Sequence, residues 1–318
     1  MKGYLVQRCL QSVTILFGIS LLVFTMVELT PGDAVDAMIQ PDSMVTPEVK
    51  ERLRERLGLN EPAPVRYAYW LGRAVTGDFG YSLTSRKPIL DIIRVRLPTT
   101  LLLVGFALVL SVVLGIVTGV VAAIRQYSGL DYLLTFASFA WLSIPEFFLG
   151  LLGIYVFAVR LNWFPAFGST TAGADNLVLD RLHHLILPGL TLGLGLTAAL
   201  TRYVRSSLLD VLQSDYMRTA RAKGLRERAV VVRHGLRNAL IPVITVIGFR
   251  LPYLIGGAVI IETVFQWPGL GLLALNAATQ RDYPLVMALA LVVTVVVVVS
   301  SLLADLAFAL ADPRIRYA

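Results

Sequence analysis

Six long apolar runs, separated by polar or charged segments, dominate the sequence. Each has the length, about 17–25 residues or more, that an α-helix needs to cross the hydrocarbon core of a bilayer. The pattern predicts an all-α integral membrane protein with six transmembrane helices. The predicted spans are Leu10–Val27, Leu101–Ile124, Leu133–Val159, Leu185–Thr201, Ala239–Ile261 and Leu285–Leu310.

The first run also has the basic flank of a secretory signal peptide, because Lys2 and Arg8 precede it. Its apolar part is too long for a signal peptide, and Glu28-Leu-Thr-Pro-Gly-Asp33 follows it instead of a small-residue cleavage site. We therefore interpret this run as the first transmembrane helix. Residues 1–30 then comprise the N-terminal tail and that helix.

A polar segment of mixed charge, residues 31–98, separates the first two spans. A helix is predicted to begin at Pro47, since proline suits the first helical position, and to end at Gly58. A second helix is predicted through Tyr67 and Leu71. A small covering cap without chemistry is the alternative to a functional role for this insert.

The distribution of Lys and Arg predicts which side each loop faces. With the N-terminus inside, the cytoplasmic segments hold 14 Lys and Arg residues, whereas the short loops on the other side hold three, Arg160, Arg181 and Arg281. The ten in the insert count little, because inserts of about sixty residues or more cross largely regardless of charge. Both termini are then cytoplasmic, the insert is extracytoplasmic, and residues 313–318 form a cytoplasmic tail.

Composition agrees with a membrane location. The 318 residues are 56% hydrophobic and only 15% charged, well below the roughly one-quarter charged typical of soluble domains. The net charge of +7 does not indicate nucleic acid, because the basic residues lie in loops beside apolar spans. One cysteine, Cys9, and three histidines make a structural zinc site improbable, and we predict no bound metal.

The chain lacks the motifs of an enzyme or an ATPase. There is no Gly-Lys pair, hence no Walker A loop to hold nucleotide phosphates. There is no His-Glu-x-x-His motif, and no serine and histidine stand out as nucleophile and base. We predict no catalytic residue and no cofactor in this chain.

The most basic stretch lies between the fourth and fifth predicted spans. Nine Lys and Arg residues fall between Arg202 and Arg237, opposed by Asp210, Asp215 and Glu227. We call residues 213–238 the basic loop and expect it to face the cytoplasm. Its central part reads Arg218-Thr-Ala-Arg-Ala-Lys-Gly224, and Arg237-Asn-Ala-Leu-Ile-Pro242 follows.

These two motifs resemble the cytoplasmic EAA loop of ABC-transporter permeases, in particular the B-type subunits of the dipeptide, oligopeptide and nickel family. In that family a short helix with small residues and a following glycine docks in a cleft of the ATPase subunit. Here Arg218 stands where the general motif has a glutamate. A positive-inside loop that only sets orientation is the alternative. The resemblance assigns ATPase coupling to Asp215, Arg218, Thr219, Ala220, Arg221, Lys223 and Gly224.

A second resemblance to the family lies between the last two spans, in Ile261-Glu-Thr-Val-Phe-Gln-Trp-Pro-Gly-Leu-Gly-Leu272. Trp267 is suited to the membrane interface, and Pro268-Gly269 enforces a turn. An aromatic belt with a tight loop is one interpretation. The other is a re-entrant hairpin that closes an outer gate, with candidate residues Glu262, Phe265, Trp267, Pro268 and Gly269.

Ionisable groups in a bilayer are costly and often functional, so the charged residues within the spans are candidates for a role. Glu146 is a candidate for lining a pathway or for satisfying backbone groups beside Pro145. Arg250 is a candidate for lining the pathway or for pairing with a partner subunit. Asp305, near the cytoplasmic end of the last span, is a candidate for helix packing or an interface. The prolines expected to kink or start helices are Pro145, Pro188, Pro242 and Pro252.

The Pro-Gly-Asp, Gly-Asp-Phe-Gly-Tyr-Ser and Arg-Leu-Pro-Thr-Thr motifs of the insert also resemble this family. The resemblance implies a five-helix permease core over residues 99–312 in a prokaryotic inner membrane. It implies a second related permease in a heterodimer, two ATPase subunits that bind ATP and Mg, a solute-binding protein and membrane lipid, but no nucleic acid.

The resemblance favours di- or oligopeptides as substrates. Nickel chelates, glutathione, opines and oligosaccharides are alternatives within the family. A secondary transporter and an intramembrane enzyme are the alternative classes. A secondary transporter would show internal repeats with broken helices at matching positions, and no such repeat is evident between the halves.

Overall fold

The structure is a computed structural model that describes residues 2–31, 35, 46–56 and 58–311. Regular structure in these residues is helical, apart from an isolated bridge between Tyr81 and Pro88. The helices of eight residues or more are numbered in chain order. They are α1 Lys2–Leu29, α2 Pro47–Arg56, α3 Ala63–Val75, α4 Ile89–Ile124, α5 Gly129–Ser143, α6 Glu146–Gly153, α7 Leu177–Leu212, α8 Asp215–Ala222, α9 Ile241–Val264, α10 Leu270–Thr279 and α11 Tyr283–Ala311.

Shorter helical pieces fill two of the connections. A π-helical segment, Ile154–Arg160, continues α6, and a second one, Val230–Leu236, lies in the basic loop between the turns Glu227–Ala229 and Arg237–Ala239. The predicted tail at residues 313–318 lies outside the described residues, as do residues 32–34 and 36–45 of the predicted insert.

Five described helices are long and apolar enough to cross a membrane, namely α1, α4, α7, α9 and α11. The third predicted span, Leu133–Val159, is not one continuous helix. The chain bends by 106° between α5 and the helical segment Glu146–Arg160. Ile144 has extended torsions of φ −99° and ψ 132°, and the residue before a proline is disfavoured from the helical region. The expected kink at Pro145 is therefore a break, and the described spans number six only if this bent pair counts as one.

The helix bounds differ from the apolar runs where packing extends a helix into polar sequence. α4 begins at Ile89, before the predicted Leu101, and continues through Pro98. Ile89 and Ile93 are almost fully buried, so the start of α4 belongs to a core that hydropathy alone does not reveal. α7 continues past Arg205 as predicted. Pro242 lies at the start of α9, whereas Pro188 and Pro252 lie inside helices.

The chain divides into two compact units. The first comprises Met1–Thr100 and Pro268–Val298, and the second comprises Leu101–Trp267 and Val299–Ala318. Residues 268–298, which the predicted division placed in the permease core, thus belong to the unit that contains the insert.

In the first unit, the insert packs on α1 through aromatic side chains. Tyr67 of α3 stacks edge-on against Phe24, with ring centroids 5.3 Å apart, and its hydroxyl lies 2.7 Å from the Ser20 hydroxyl. Arg66 pairs with Glu28 near the end of α1. The insert therefore contains the two predicted helices, and the second is fastened to the first span.

A buried aspartate organises the other part of the first unit. Asp282 is 1% exposed and accepts hydrogen bonds from the Ser82 hydroxyl at 2.5 Å and the Leu83 amide at 3.1 Å. It directly precedes α11, where a carboxylate is favourable beside the positive end of the helix dipole. One side chain thus fixes the loop before α4 and the start of α11.

In the second unit, α7 is the central helix, and close approach to α4 depends on glycines. A Cβ built on Gly119 would lie 2.6 Å from the Val204 Cβ and 2.8 Å from the Thr201 carbonyl oxygen. A Cβ on Gly193 would lie 2.9 Å from the Ala107 carbonyl oxygen. The Thr118 and Thr201 hydroxyls lie 2.6 Å apart at the same interface. Small residues thus allow the two backbones to pack closely, as is common in membrane bundles.

Replacing Gly119 with alanine is expected to destabilise the second unit by about 1–3 kcal/mol, because the added methyl group meets a backbone carbonyl and a β-branched side chain that cannot move aside. Unfolding by SDS in mixed micelles measures the change. Gly105→Ala is the matched control on the same helix, since a Cβ there meets nothing within 4 Å. Equal stability of the two variants would contradict close packing of α4 on α7.

Candidate functional site

The basic loop begins where α7 ends and immediately forms α8. Ser214 is extended, with φ −70° and ψ 153°, and Asp215 lies in the first turn of α8, where its negative charge complements the helix dipole. The helix ends at Ala222, and Gly224 follows in the left-handed region with φ 76°. The structure thus contains the short helix and following glycine that the resemblance implies.

The inner face of α8 is apolar and fixed. Met217 is fully buried and Ala220 is 7% exposed, and both pack with Val230 of the π-helical segment. We call residues 227–239 the returning arm of the loop. A Cβ on Gly235 would lie 3.3 Å from the Met217 Cε, so this glycine lets the returning arm approach α8. α8 is therefore packed on the rest of the basic loop.

This packing changes the role expected for Ala220. The sequence placed Ala220 with Thr219 among the small residues that approach an ATPase. In the structure Ala220 faces inward, where its size suits the packing of α8, and a bulky residue there would disturb the loop itself. Thr219 is the small residue on the exposed side.

The outer face of α8 is polar and largely cationic. Asp215, Arg218, Thr219 and Lys223 are exposed. Arg218 and Asp215 approach to 3.5 Å, but their side chains are 74% and 97% exposed, and such surface pairs contribute little. Arg218 and Lys223 therefore present positive charge to solvent or to a partner.

Arg221 has a different role from the two other cations. Its Nη2 lies 3.0 Å from Glu227 Oε1, and its Nε lies 3.2 Å from Glu227 Oε2. The hydrogen bonds from Arg221 hold the pKa of the Glu227 carboxyl below its ordinary value. Arg221, which the resemblance assigns to ATPase coupling, thus also joins the end of α8 to the segment that follows it.

Gly224 is required for its backbone conformation and not for lack of space. A Cβ there meets nothing within 4 Å, but φ is 76°. Gly224→Ala is expected to destabilise the end of the basic loop by about 1 kcal/mol, measurable as faster amide hydrogen exchange in Lys223–Leu225. Gly129→Ala is the control, because a Cβ there also meets nothing within 4 Å and its φ is not positive. Unchanged exchange in Gly224→Ala would contradict the strain.

A buried ion pair joins α7 to α5 near the start of the basic loop. This pair was not predicted from the sequence. Arg205 Nε and Nη2 each lie 2.7 Å from an oxygen of Asp131, whose side chain is 3% exposed. The Tyr127 amide also donates to Asp131, at 3.0 Å. Neither Arg205 nor Asp131 is among the candidate residues predicted from the sequence.

A sequence signal for Asp131 existed. Ser128 caps α5 by accepting a hydrogen bond from the Asp131 amide, and serine followed three residues later by an acidic residue is typical of a helix start. The partner across the bundle carries no local signal, so the pair itself was not predictable.

Glu146 lies at the break between α5 and α6. Its Oε1 accepts a hydrogen bond of 3.1 Å from the Tyr253 hydroxyl of α9. Its Oε1 lies 3.2 Å from a Cβ built on Gly195 of α7, and its Oε2 lies 3.1 Å from one built on Gly257. Two glycines on different helices therefore leave the space that the carboxylate occupies.

The other charged residues predicted within spans, Arg250 and Asp305, are both half-buried. The Arg250 guanidinium carbon lies 5.7 Å from the centre of the Tyr253 ring, so the structure brings Arg250 and Glu146 to the same tyrosine. Asp305 is half-buried on α11. Within the described residues, no three His, Cys, Asp or Glu side chains cluster as metal ligands would.

The predicted gate segment forms the turn from α9 to α10. Glu262, Phe265 and Trp267 are at most 2% exposed, and the Trp267 amide donates to the Glu262 carbonyl at 2.8 Å. The Phe265 carbonyl accepts a hydrogen bond from the Gly168 amide. Pro268 and Gly269 directly precede α10, an apolar helix that was predicted only as loop. The role of this turn as a gate stays a prediction.

Comparison with known proteins relates the whole chain to transport systems. Residues 115–317 match the family described as the binding-protein-dependent transport system inner membrane component, and residues 1–104 match its N-terminal companion family. The chain is 46% identical over 318 residues to the oligopeptide transport system permease protein AppB of Bacillus subtilis, covering 100% of both chains. It is 40% identical over 317 residues to the glutathione transport system permease protein GsiC of Escherichia coli K12, again covering 100% of both.

A solved structure of the MetNI methionine ABC transporter, in inward-facing conformations, has a similar fold. The TM-score is 0.57 at 16% sequence identity, and the match covers 71% of this chain and 99% of the other. This similarity concerns the fold alone.

Proposed function

Because the chain belongs to the family of binding-protein-dependent transport system inner membrane components, we propose that it forms half of a pathway for peptides in an ATP-driven importer. The observation that carries the proposal is α8, a short exposed helix with a cationic outer face, packed at the end of the central helix α7. Like other members of the family, the chain is a multi-pass inner membrane protein and not itself an enzyme. ATP hydrolysis belongs to a separate subunit.

We propose six spans, with the bent pair of α5 and α6 counted as one. Both termini and the basic loop then face the cytoplasm, and the insert faces the other side. The excess of Lys and Arg in and beside the basic loop supports this orientation. In this arrangement α8 lies where a cytoplasmic ATPase can reach it.

The proposed coupling route runs from α8 into the bundle. Met217 and Ala220 fix α8 on the returning arm of the basic loop, and the Ser207 hydroxyl of α7 donates to the Ala239 carbonyl of that arm at 2.9 Å. Arg205 then joins α7 to α5 through Asp131. Because these contacts join α8, α7 and α5, a displacement of α8 by the ATPase would also move α7 and α5. Transport needs two alternative packings of the bundle, each favoured by a different ligand state.

We propose peptides as substrates, with two ATPase subunits, a second permease and a solute-binding protein as partners. The full-length similarity to an oligopeptide permease supports this substrate class. Glutathione is the second candidate, because a glutathione permease also matches over its full length. Both are compounds with peptide bonds and charged termini, so the same pathway chemistry serves either one.

The test is purification of the tagged chain in mild detergent, with identification of the co-purifying subunits and an ATPase assay. We expect Walker-motif ATPases and a second permease, with hydrolysis stimulated by the binding protein. Uptake of labelled trialanine and, in parallel, of labelled glutathione into proteoliposomes then separates the two substrates. A chain that purifies alone, without nucleotide hydrolysis, would overturn the proposal.

A further inference from the structure

Two opposite charges lie near each other within the spans of the second unit without pairing. Glu146 bonds to the Tyr253 hydroxyl, and the Arg250 guanidinium lies beside the ring of the same tyrosine. Among the described residues neither charge forms an ion pair. Because an unpaired charge in the membrane is costly, such residues face a pathway or a partner and not lipid.

The surface around these charges is open. Along α9, Phe249 is 80% exposed, Tyr253 is 54% exposed and Ile260 is 47% exposed. A Cβ added to Gly256 meets nothing within 4 Å. These four residues recur at the spacing of one helix face, so an exposed stripe runs past both charges.

The spacing along α9 between Arg250 and the position that Glu146 contacts matches a short peptide. The Glu146 Oε2 lies against Gly257, and Arg250 precedes Gly257 by seven residues, which is about two turns or about 10 Å along the same face. An extended chain rises about 3.3–3.6 Å per residue, so about two to three residues span that length. Tyr253 contacts both side chains, because its hydroxyl bonds to Glu146 and its ring lies beside the Arg250 guanidinium.

We propose that Glu146, Tyr253 and Arg250 form a site in the pathway for a zwitterionic peptide. Glu146 accepts hydrogen bonds from the terminal ammonium, Arg250 donates to the terminal carboxylate, and Tyr253 contacts the backbone between them. Gly195 and Gly257 are positioning residues, because they fix the Glu146 carboxylate. This inference rests on the proposed peptide importer and identifies the part of the substrate that the permease itself recognises.

Cysteine labelling in the assembled, transport-competent complex tests the site. Cys9 is the single cysteine of the chain and is first replaced by alanine; Gly256→Cys or Phe249→Cys is then introduced. The thiol of the Gly256→Cys variant, near Glu146, should react about fivefold faster with a cationic than with an anionic methanethiosulfonate. The thiol of the Phe249→Cys variant, beside Arg250, should show the opposite preference. Glu146→Gln should abolish the first preference, and Arg250→Gln the second.

Protection by substrate completes the test without any change at Glu146 or Arg250. Saturating trialanine should slow labelling of both introduced thiols by about fivefold or more, whereas N-acetyl-trialanine amide, which lacks both charges, should not. Unreactive thiols, labelling without charge preference, or equal protection by the blocked peptide would each overturn the site. Uptake is measured in the same vesicles, so intact uptake with any of these results rejects the zwitterion site and leaves the importer standing.

Discussion

Asp131→Ala is expected to lower the free energy of unfolding by about 2–4 kcal/mol, because it leaves the Arg205 guanidinium partly buried without its partner. The low end of that range applies if water reaches Arg205, whose side chain is 26% exposed. The carboxylate also accepts a hydrogen bond from the Tyr127 amide. The variant therefore loses this contact in the turn before α5 as well. SDS unfolding of the purified chain measures the effect.

The exposed pair on α8 is the matched control for this prediction. Asp215 and Arg218 are the same residue types, but Asp215→Ala should change the free energy of unfolding by less than about 0.5 kcal/mol. In the double variant of Asp131→Ala with Arg205→Ala, the loss should be smaller than the sum of the single losses. A variant at Asp131 that unfolds like the wild type would show that this pair does not hold α5 to α7.

Thr219→Trp is expected to reduce peptide uptake by about fivefold or more while the chain still inserts and folds. Thr219 lies on the exposed side of α8, so the indole does not disturb the Met217 core. It does overpack the proposed contact with the ATPase, and overpacking by about 1–3 kcal/mol corresponds to about a fivefold to hundredfold loss of affinity. Peptide uptake and the stimulation of ATPase activity, both measured in proteoliposomes, test this prediction.

Thr219→Ser is the control, since it keeps the hydroxyl that donates to the Asp215 carbonyl at 3.0 Å and adds no bulk. It should transport like the wild type. Ala220→Trp should behave differently from Thr219→Trp, because Ala220 is buried and its replacement unfolds the basic loop. Wild-type uptake in Thr219→Trp would remove α8 from the coupling route.

The sequence predicted the helices well where the signal was local. Apolar length placed five spans, Pro47 marked the start of α2, and the motif around Gly224 located the short helix of the basic loop. The prediction was less accurate where tertiary packing decides. Ile89 extends α4 because it is buried in a core contributed by distant parts of the chain. Arg205 and Asp131 meet across the bundle although they lie 74 residues apart in sequence, so no local pattern links them.

The candidate site shows the same limit on the scale of single side chains. Composition identified the cationic loop, but not which of its cationic side chains remain available to a partner protein. Arg221 is engaged by Glu227 six residues later, and this spacing has no helical or strand periodicity to reveal it. Ala220 and Thr219 are neighbours in sequence, but Ala220 is buried and Thr219 is exposed. Glu146 was recognisable from the sequence as a charge in a span. The glycines that leave space for it, Gly195 and Gly257, have no sequence pattern that links them to Glu146.

The break in the third span also has a consequence for synthesis. The run Leu133–Val159 is translated before Gly195, Tyr253 and Gly257, which together receive the Glu146 side chain at the break. Ile144 and Pro145 fix the bend locally, but the contacts that shield it come from helices still to be made. The nascent chain is therefore expected to enter the bilayer with Glu146 unpartnered, and to place it against Gly195, Tyr253 and Gly257 only when α7 and α9 have followed.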